Sequence, residues 1–219
     1  MASRSTSALS RPLPRGDRVV SISTFAFLFA EVISYFQSRV TSMGDLETRL
    51  ESAGAGIGVR FRELSAFRDK PGRRETGVVG MLQFVSGPAW QSLFGKQADA
   101  LEKSTEVANQ YMIREDEPLT NHFISMPKEY SRCGAAAQSA AVCTSATRRR
   151  SLPPSARPPH RSVNVASFIA GIIRGMLEAA SFPCTVTAVT VAAPEKLRDN
   201  TVFLVKLADE TAAREATAS

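Results

Sequence analysis

A chain of 219 residues, 43% hydrophobic, is long enough for one domain with a real core plus some additional segments. Its formal charge of +6 invites a nucleic-acid reading. That charge sits in two stretches: residues 132–161 hold six arginines and no acid, and residues 1–18 hold four arginines against Asp17, leaving 17 basic and 20 acidic residues elsewhere. A mildly acidic remainder excludes a nucleic-acid-binding domain face, and three cysteines without metal-like spacing point to a reducing compartment.

Residues 1–18 combine Ser, Arg and Pro with little to bury and are expected to form a disordered tail. Arginines precede the apolar run 19–36, as in a signal peptide, but Glu31 and several hydroxyl residues interrupt it. A membrane-spanning helix needs ~20 predominantly apolar residues, so neither leader nor span is expected. From Ser23, Phe25, Leu28, Phe29, Val32, Phe36 and Val40 recur at helical spacing, with Ser23 or Thr24 available as N-cap. Phe27 and Ile33 widen the stripe, which predicts a helix central to the core. Ser42 and Asp45 have capping-box spacing and open a second helix, which Gly54 and Gly56 are expected to end or bend. Ile57, Phe61 and Leu64 resume the helical pattern up to the turn Lys70-Pro71-Gly72.

The stretch 73–103 divides the helical part of the chain from the part that reads mostly as strand. Val78, Val79, Leu82 and Val85 fit one helix face, and Ser86-Gly87-Pro88 must kink or restart that helix. Trp90, the only tryptophan, then Leu93, Phe94 and Leu101 continue the apolar pattern. Gly95-Lys96 lacks the preceding glycine and the following hydroxyl residue of a phosphate loop, which removes a nucleotide site here.

After Asn109 the period drops to two. Tyr111 and Ile113, a turn at Glu115-Asp116-Glu117-Pro118, then His122, Ile124 and Met126 predict a hairpin. The acidic trio reads as solvated turn charge, not as a metal site, and a lone His122 as a structural or surface residue. Two histidines, His122 and His160, and scattered cysteines supply no nucleophile–base pair, so no enzyme is expected.

Alanine, serine, Arg148-Arg149-Arg150 and the prolines at 153, 154, 158 and 159 make residues 132–161 a low-complexity basic insertion, expected to be disordered. Sequence that the mature messenger lacks would read the same way; an RNA- or membrane-surface-binding arm is the sharper alternative. Val165, Phe168, Ile169, Ile172, Ile173, Met176, Leu177 and Ala180 then form a helical stripe ending before Pro183. Gly171-x-x-x-Gly175 within it reads as close packing of this helix on a sheet. Residues 184–191 and 201–207 alternate as strands, and Val202 and Leu204 on the second face point to a covering partner. Residues 209–219 are expected to fray.

The order of several motifs is individual. Phe25-Ala26-Phe27-Leu28-Phe29-Ala30-Glu31 and Gln37-Ser38-Arg39-Val40 lead to Arg73-Arg74-Glu75-Thr76 and the stretch 85–103. Glu117-Pro118-Leu119, Pro127-Lys128-Glu129, the stretch 166–172 and the stretch 182–188 follow. This series resembles the subunit 5 family of the TRAPP (transport protein particle) tethering complex, over residues 20–131 and 162–208, with 132–161 standing as an insertion. The resemblance implies an α/β (α+β) fold with helices packed on one side of a four-stranded antiparallel sheet, in one domain over 19–208. The independent reading of four helices, two strands, a helix and two strands agrees with it.

The resemblance further implies a non-catalytic structural subunit of a vesicle-tethering complex in endoplasmic reticulum to Golgi transport. Its implied partners are other TRAPP subunits and, through the complex, a Rab-type small GTPase and the cytoplasmic face of those membranes, with no cofactor and no nucleic acid. Some relatives carry an acylated cysteine in a hydrophobic tunnel, but the first helical half here has no cysteine and that feature is not carried over. The competing class is an acyl-chain or small apolar ligand-binding module. Trp90, Phe94, Lys96, Asp99 and Leu101 are the candidate interface residues, with ordinary core packing the alternative for Trp90, Phe94 and Leu101.

Overall fold

The computed structural model describes residues 20–40, 42–68, 77–105, 107, 109–122, 164–191, 200–211 and 214. In chain order the elements are α1 (Ile22–Gln37), α2 (Met43–Arg68) and α3 (Val78–Phe84), then a π-helical turn (Val85–Ala89) and α4 (Trp90–Phe94). They continue as β1 (Ala100–Lys103), β2 (Gln110–Glu115), a 3-10 turn (Leu119–Asn121), α5 (Ser167–Ala179), β3 (Cys184–Val191) and β4 (Asn200–Leu207). The readings of residues 1–18 and 132–161, and of the turn at 70–72, lie outside the described residues.

The helix α5 is apolar on almost every side, and accordingly Ile169, Ala170, Gly171, Ile172, Ile173, Gly175, Met176 and Leu177 are all buried. One side meets β3 and the sheet; the opposite side meets α2 along its length. That second contact rests on four glycines. A Cβ on Gly54 or Gly58 of α2 would collide with the carbonyl oxygens of Phe168 and Ile172, and a Cβ on Gly171 or Gly175 of α5 with those of Glu51 and Ala55. Each helix thus carries two glycines four residues apart, turned toward the other, so the backbones approach without side chains between them. Gly171 and Gly175 therefore face a helix, not the sheet that the sequence reading assigned to them. Gly54 and Gly56 do not end α2, which runs unbroken for 26 residues: Gly54 is spent on the crossing, and Gly56 lies on the open side of the helix. Asp45 donates its backbone N–H to Ser42 Oγ at 3.1 Å, as the capping-box spacing predicted.

The sheet is antiparallel with order β1-β2-β4-β3. Its hairpin is β1 with β2, Leu101 opposite Ile113 and Lys103 opposite Tyr111, not 111–114 with 122–126. Leu101 had been read into a helical pattern, but Gly95 at φ 81° stops α4, and the six residues from there to Ala100 let the chain extend. His122 follows the 3-10 turn in a bend, and Ile124 and Met126 lie outside the described residues. The register puts Ile113, Val186, Phe203, Val205 and Leu207 on the face toward the helices, where all are buried. Val202 and Leu204 on the other face are half-buried. The chain end continues past the sheet: Thr211 is buried, and Arg214 donates to the Ser181 carbonyl at 2.8 Å, where a frayed tail was expected from residue 209.

The first helix departs most from its reading. Fully burying a large apolar side chain is worth ~1.5–3 kcal/mol. In α1 only Phe29 is buried, against Ile169, Ile172, Ile173, Met176 and Leu177 in α5, so α1 is peripheral and α5 is the centre of the core.

Candidate functional site

The prolyl ring at Pro88 cannot donate a backbone hydrogen bond, and the helix answers with a π turn that takes up one extra residue. Without that residue, the face carrying Val78, Met81, Leu82 and Val85 would continue to Ala89 and on to Ser92. The insertion advances it to Trp90 and then to Leu93 and Phe94. Trp90 is 1% exposed, with its ring 4.9 Å from Phe94 and 5.7 Å from Phe203 by centroid.

A buried indole N–H needs an acceptor. Trp90 Nε1 donates to Glu115 Oε2 at 3.0 Å, and Lys96 Nζ pairs with the other oxygen of the same carboxylate. Glu115 belongs to the inward side of β2 with Tyr111 and Ile113, and it is 1% exposed, so it is no solvated turn residue as the sequence reading had it. Its strand alternation, together with a lone tryptophan that must find a partner, was the available signal. Burial pushes the Glu115 carboxyl above its ordinary value; the Lys96 and Trp90 hydrogen bonds pull it down without cancelling that, and Asp99 adds to the rise. For Lys96 burial works the other way. The Glu115 bond and charge, with Asp99 and Glu117 beyond, outweigh it and hold the ammonium above its usual range.

The structure thus brings four of the five candidate residues to one corner. Trp90 is wholly interior and offers no surface; Phe94 is half-buried, and Lys96 and Asp99 are exposed. Asp99 Oδ2 accepts the Asp116 N–H at 2.7 Å, which ties β1 to the end of β2. Leu101 sits one strand residue further on, half-buried against the core. The corner opens into a cleft of about 280 Å³ whose apolar wall includes Ile22, Phe94, Pro118 and Leu119 and whose floor carries Glu115.

The sequence reading missed the exposed side of α1. Phe27 is 79% exposed, Leu28 64% and Tyr35 48%, and they share one side of the helix with the exposed Glu31 between them. Ile22, 53% exposed in the first turn of α1, lines the cleft from the other side of the helix. Arg39 lies over the Tyr35 ring at 4.0 Å and closes the far end. No described helix is long and apolar enough to cross a membrane.

A sequence model described as "Transport protein particle (TRAPP) component" matches residues 25–147 and 146–208. The chain belongs to the TRAPP component family. It is 39% identical over 216 residues to a protein of Dictyostelium discoideum named trafficking protein particle complex subunit 5, covering 99% of this chain and all of that one. The human protein of the same name is 39% identical over 180 residues, 82% of this chain and 80% of that one. A TRAPP subunit 3 from Naegleria fowleri, crystallised covalently bound to palmitic acid, superposes with a TM-score of 0.58 at 16% identity. That match covers 86% of this chain and 95% of the other, a likeness of fold.

The described cysteine suits no acyl transfer. Burial, with Glu178 adding to it and Arg174 opposing, pushes the Cys184 thiol up to about 12. At pH 8 its thiolate fraction is then roughly a thousandth of that of an ordinary cysteine near 8.5. In a Cys133→Ser/Cys143→Ser variant, the remaining thiol should react with a colorimetric disulfide reagent far more slowly in the folded protein than after unfolding in urea. Reaction at the rate of a free thiol would show that Cys184 is open.

Proposed function

We propose that this TRAPP-family chain is a non-catalytic structural subunit of a vesicle-tethering assembly, peripheral to endoplasmic reticulum and Golgi membranes on the cytoplasmic side. Within it the chain contributes to a composite surface that promotes nucleotide exchange on a Rab-type small GTPase. Exchange needs no acid, base or metal from this subunit; it needs a surface that binds the nucleotide-free GTPase better than the loaded one. The observation that carries the reading is the stripe of Phe27, Leu28 and Tyr35 turned to solvent on a helix that the family match includes. Large apolar side chains turned to solvent together on one helix side support an interaction site, with Glu31 between them as a polar contact. Another TRAPP subunit is the natural occupant.

The acyl-carrier reading has less to stand on. The described cleft ends on Glu115 and Lys96, a floor that suits a polar or cationic group and not an alkyl chain.

In cells expressing a tagged Phe27→Asp/Leu28→Asp protein, co-purification of the other subunits should be lost. Both side chains are exposed, so stability should stay within about 0.5 kcal/mol. A variant that brings down its usual partners would sink the interface. Exchange measured on the assembly reconstituted with and without this chain tests the GTPase part, and equal rates would remove it.

A further inference from the structure

We propose that the edge of β3 is a pairing surface for the same strand of a second copy of this chain, and that Asn164 holds it shut. β3 and β1 are the outer strands of the sheet. Outer strands are ordinarily kept from edge-to-edge pairing by shortness, charge or proline. β1 is four residues long and carries Glu102 and Lys103, whereas β3 runs for eight, Cys184–Val191, with no charge and no proline. Its protection has to come from another element.

The Ala208 N–H donates to the Pro183 carbonyl at 3.0 Å, which fixes the alternation of this antiparallel pair. Residues 185, 187, 189 and 191 bond to β4, and Cys184, Val186, Ala188 and Thr190 turn their N–H and C=O groups outward. Among the described residues, the group that reaches this outward row is Asn164 Nδ2, which donates to the Ala188 carbonyl at 2.9 Å. The amide is fixed from both helices: Asn164 Oδ1 accepts the Ala166 N–H at 3.1 Å, and the Asn164 N–H donates to Glu47 Oε1 at 2.9 Å.

Ala188 is where a second strand needs access. A twofold axis at Thr187 sets Val186 opposite Ala188, and Cys184 opposite Thr190, of the second copy, so every outward group finds a partner. On the outer face it sets Thr187 against its own mate and Thr185 against Val189, β-branched pairs with no like charges brought together. An axis at Thr185, which avoids Ala188, leaves only Cys184 and Val186 to bond. One side-chain amide at Ala188 therefore suffices to keep the copies apart.

Amide hydrogen exchange of the full-length chain, followed by NMR, reads this edge apart from any other contact. In the unaltered protein Val186 and Ala188 should exchange much faster than Thr187 and Val189, which bond to β4. Asn164→Ser keeps an acceptor for the Ala166 N–H and loses the donor to Ala188. In that variant the Val186 and Ala188 amides should slow by about tenfold at high protein concentration and recover on dilution, as pairing between copies requires. Adding Thr187→Lys, at an exposed position, sets two ammonium groups together across the axis and should abolish the slowing. Val186 and Ala188 as protected as their neighbours in the unaltered protein overturn the proposal, since the edge is then already covered. Asn164→Ser amides that exchange as in the parent overturn it too, as does slowing that survives dilution or Thr187→Lys. An Asn164→Ser chain that fails to fold also overturns it, because the amide then serves folding and not the edge.

Discussion

Gly175→Ala should unfold this protein more readily than any exposed substitution, although alanine is the better helix former. A Cβ at Gly175 would overlap the Ala55 carbonyl, and what it meets is backbone, which cannot swing aside as a side-chain end can. The helices must separate, and α2 on α5 is the most extensive contact between elements in the fold. Overpacking a core typically costs about 1–3 kcal/mol and occasionally more, and a backbone collision belongs at the upper end. For a chain of this size, a loss of about 3 kcal/mol lowers the melting temperature by roughly 6–12 °C. Gly58→Ala should behave likewise, since its Cβ would meet the Ile172 carbonyl. Gly56→Ala, on the same helix with nothing within 4 Å of its Cβ, should instead gain about 0.5–1 kcal/mol from reduced freedom of the unfolded chain. Thermal melts of the three variants decide it. If Gly56→Ala and Gly58→Ala shift in the same direction by the same amount, the glycine crossing is not what holds the two helices together.

That contrast also shows what the sequence could convey. Gly54, Gly56 and Gly58 look alike in one dimension; only the partner helix separates two contact positions from one idle position, and the partner lies more than a hundred residues away. The α5 stripe, β3 and β4 were legible because each has one dominant period and its own boundary: the α5 stripe stops before Pro183, and residues 184–191 and 200–207 are the strands read at 184–191 and 201–207. The first hairpin was misplaced because the apolar side chains of β1, Ala100 and Leu101, are too few to set a period of their own. Apolar density misled at α1. A helix rich in phenylalanine reads as core, and the sequence does not say whether the covering surface belongs to the same chain. At the corner, residue order singled out Trp90, Phe94, Lys96 and Asp99 as candidates, while Glu115 was hidden by its place beside two acidic residues that are less buried.

Removing the Trp90 side chain should have the largest effect at that corner. Trp90→Ala leaves a cavity beside Phe94 and Phe203 and should cost about 3–5 kcal/mol. It also deprives Glu115 of a donor, so Trp90→Phe, which keeps most of the ring and loses only the N–H, should still cost about 1–3 kcal/mol. On a Glu115→Gln background the Trp90→Phe loss should shrink, because a neutral amide tolerates the missing donor better than a buried carboxylate does. The pH dependence gives a second handle. Glu115 has its folded pKa raised, so the folded state holds the proton more tightly. Its favourable contribution is complete below the unfolded value, ordinarily about 4.3, and is lost as pH rises through the folded one. Lys96 is also raised; its contribution is complete at neutral pH and is lost only as pH climbs through its folded value in alkali. Urea unfolding from pH 4 to pH 8, followed by far-ultraviolet circular dichroism, should therefore show a fall in stability attributable to Glu115 that Glu115→Gln abolishes. Lys96→Met should steepen the fall, since Glu115 then faces Asp99 without the ammonium. With Lys96 about half exposed, that loss stays below the ~3–5 kcal/mol of breaking a fully buried pair. A Trp90→Phe protein as stable as its parent, or identical pH slopes with and without Glu115→Gln, would show that this carboxylate and indole do not act as a unit.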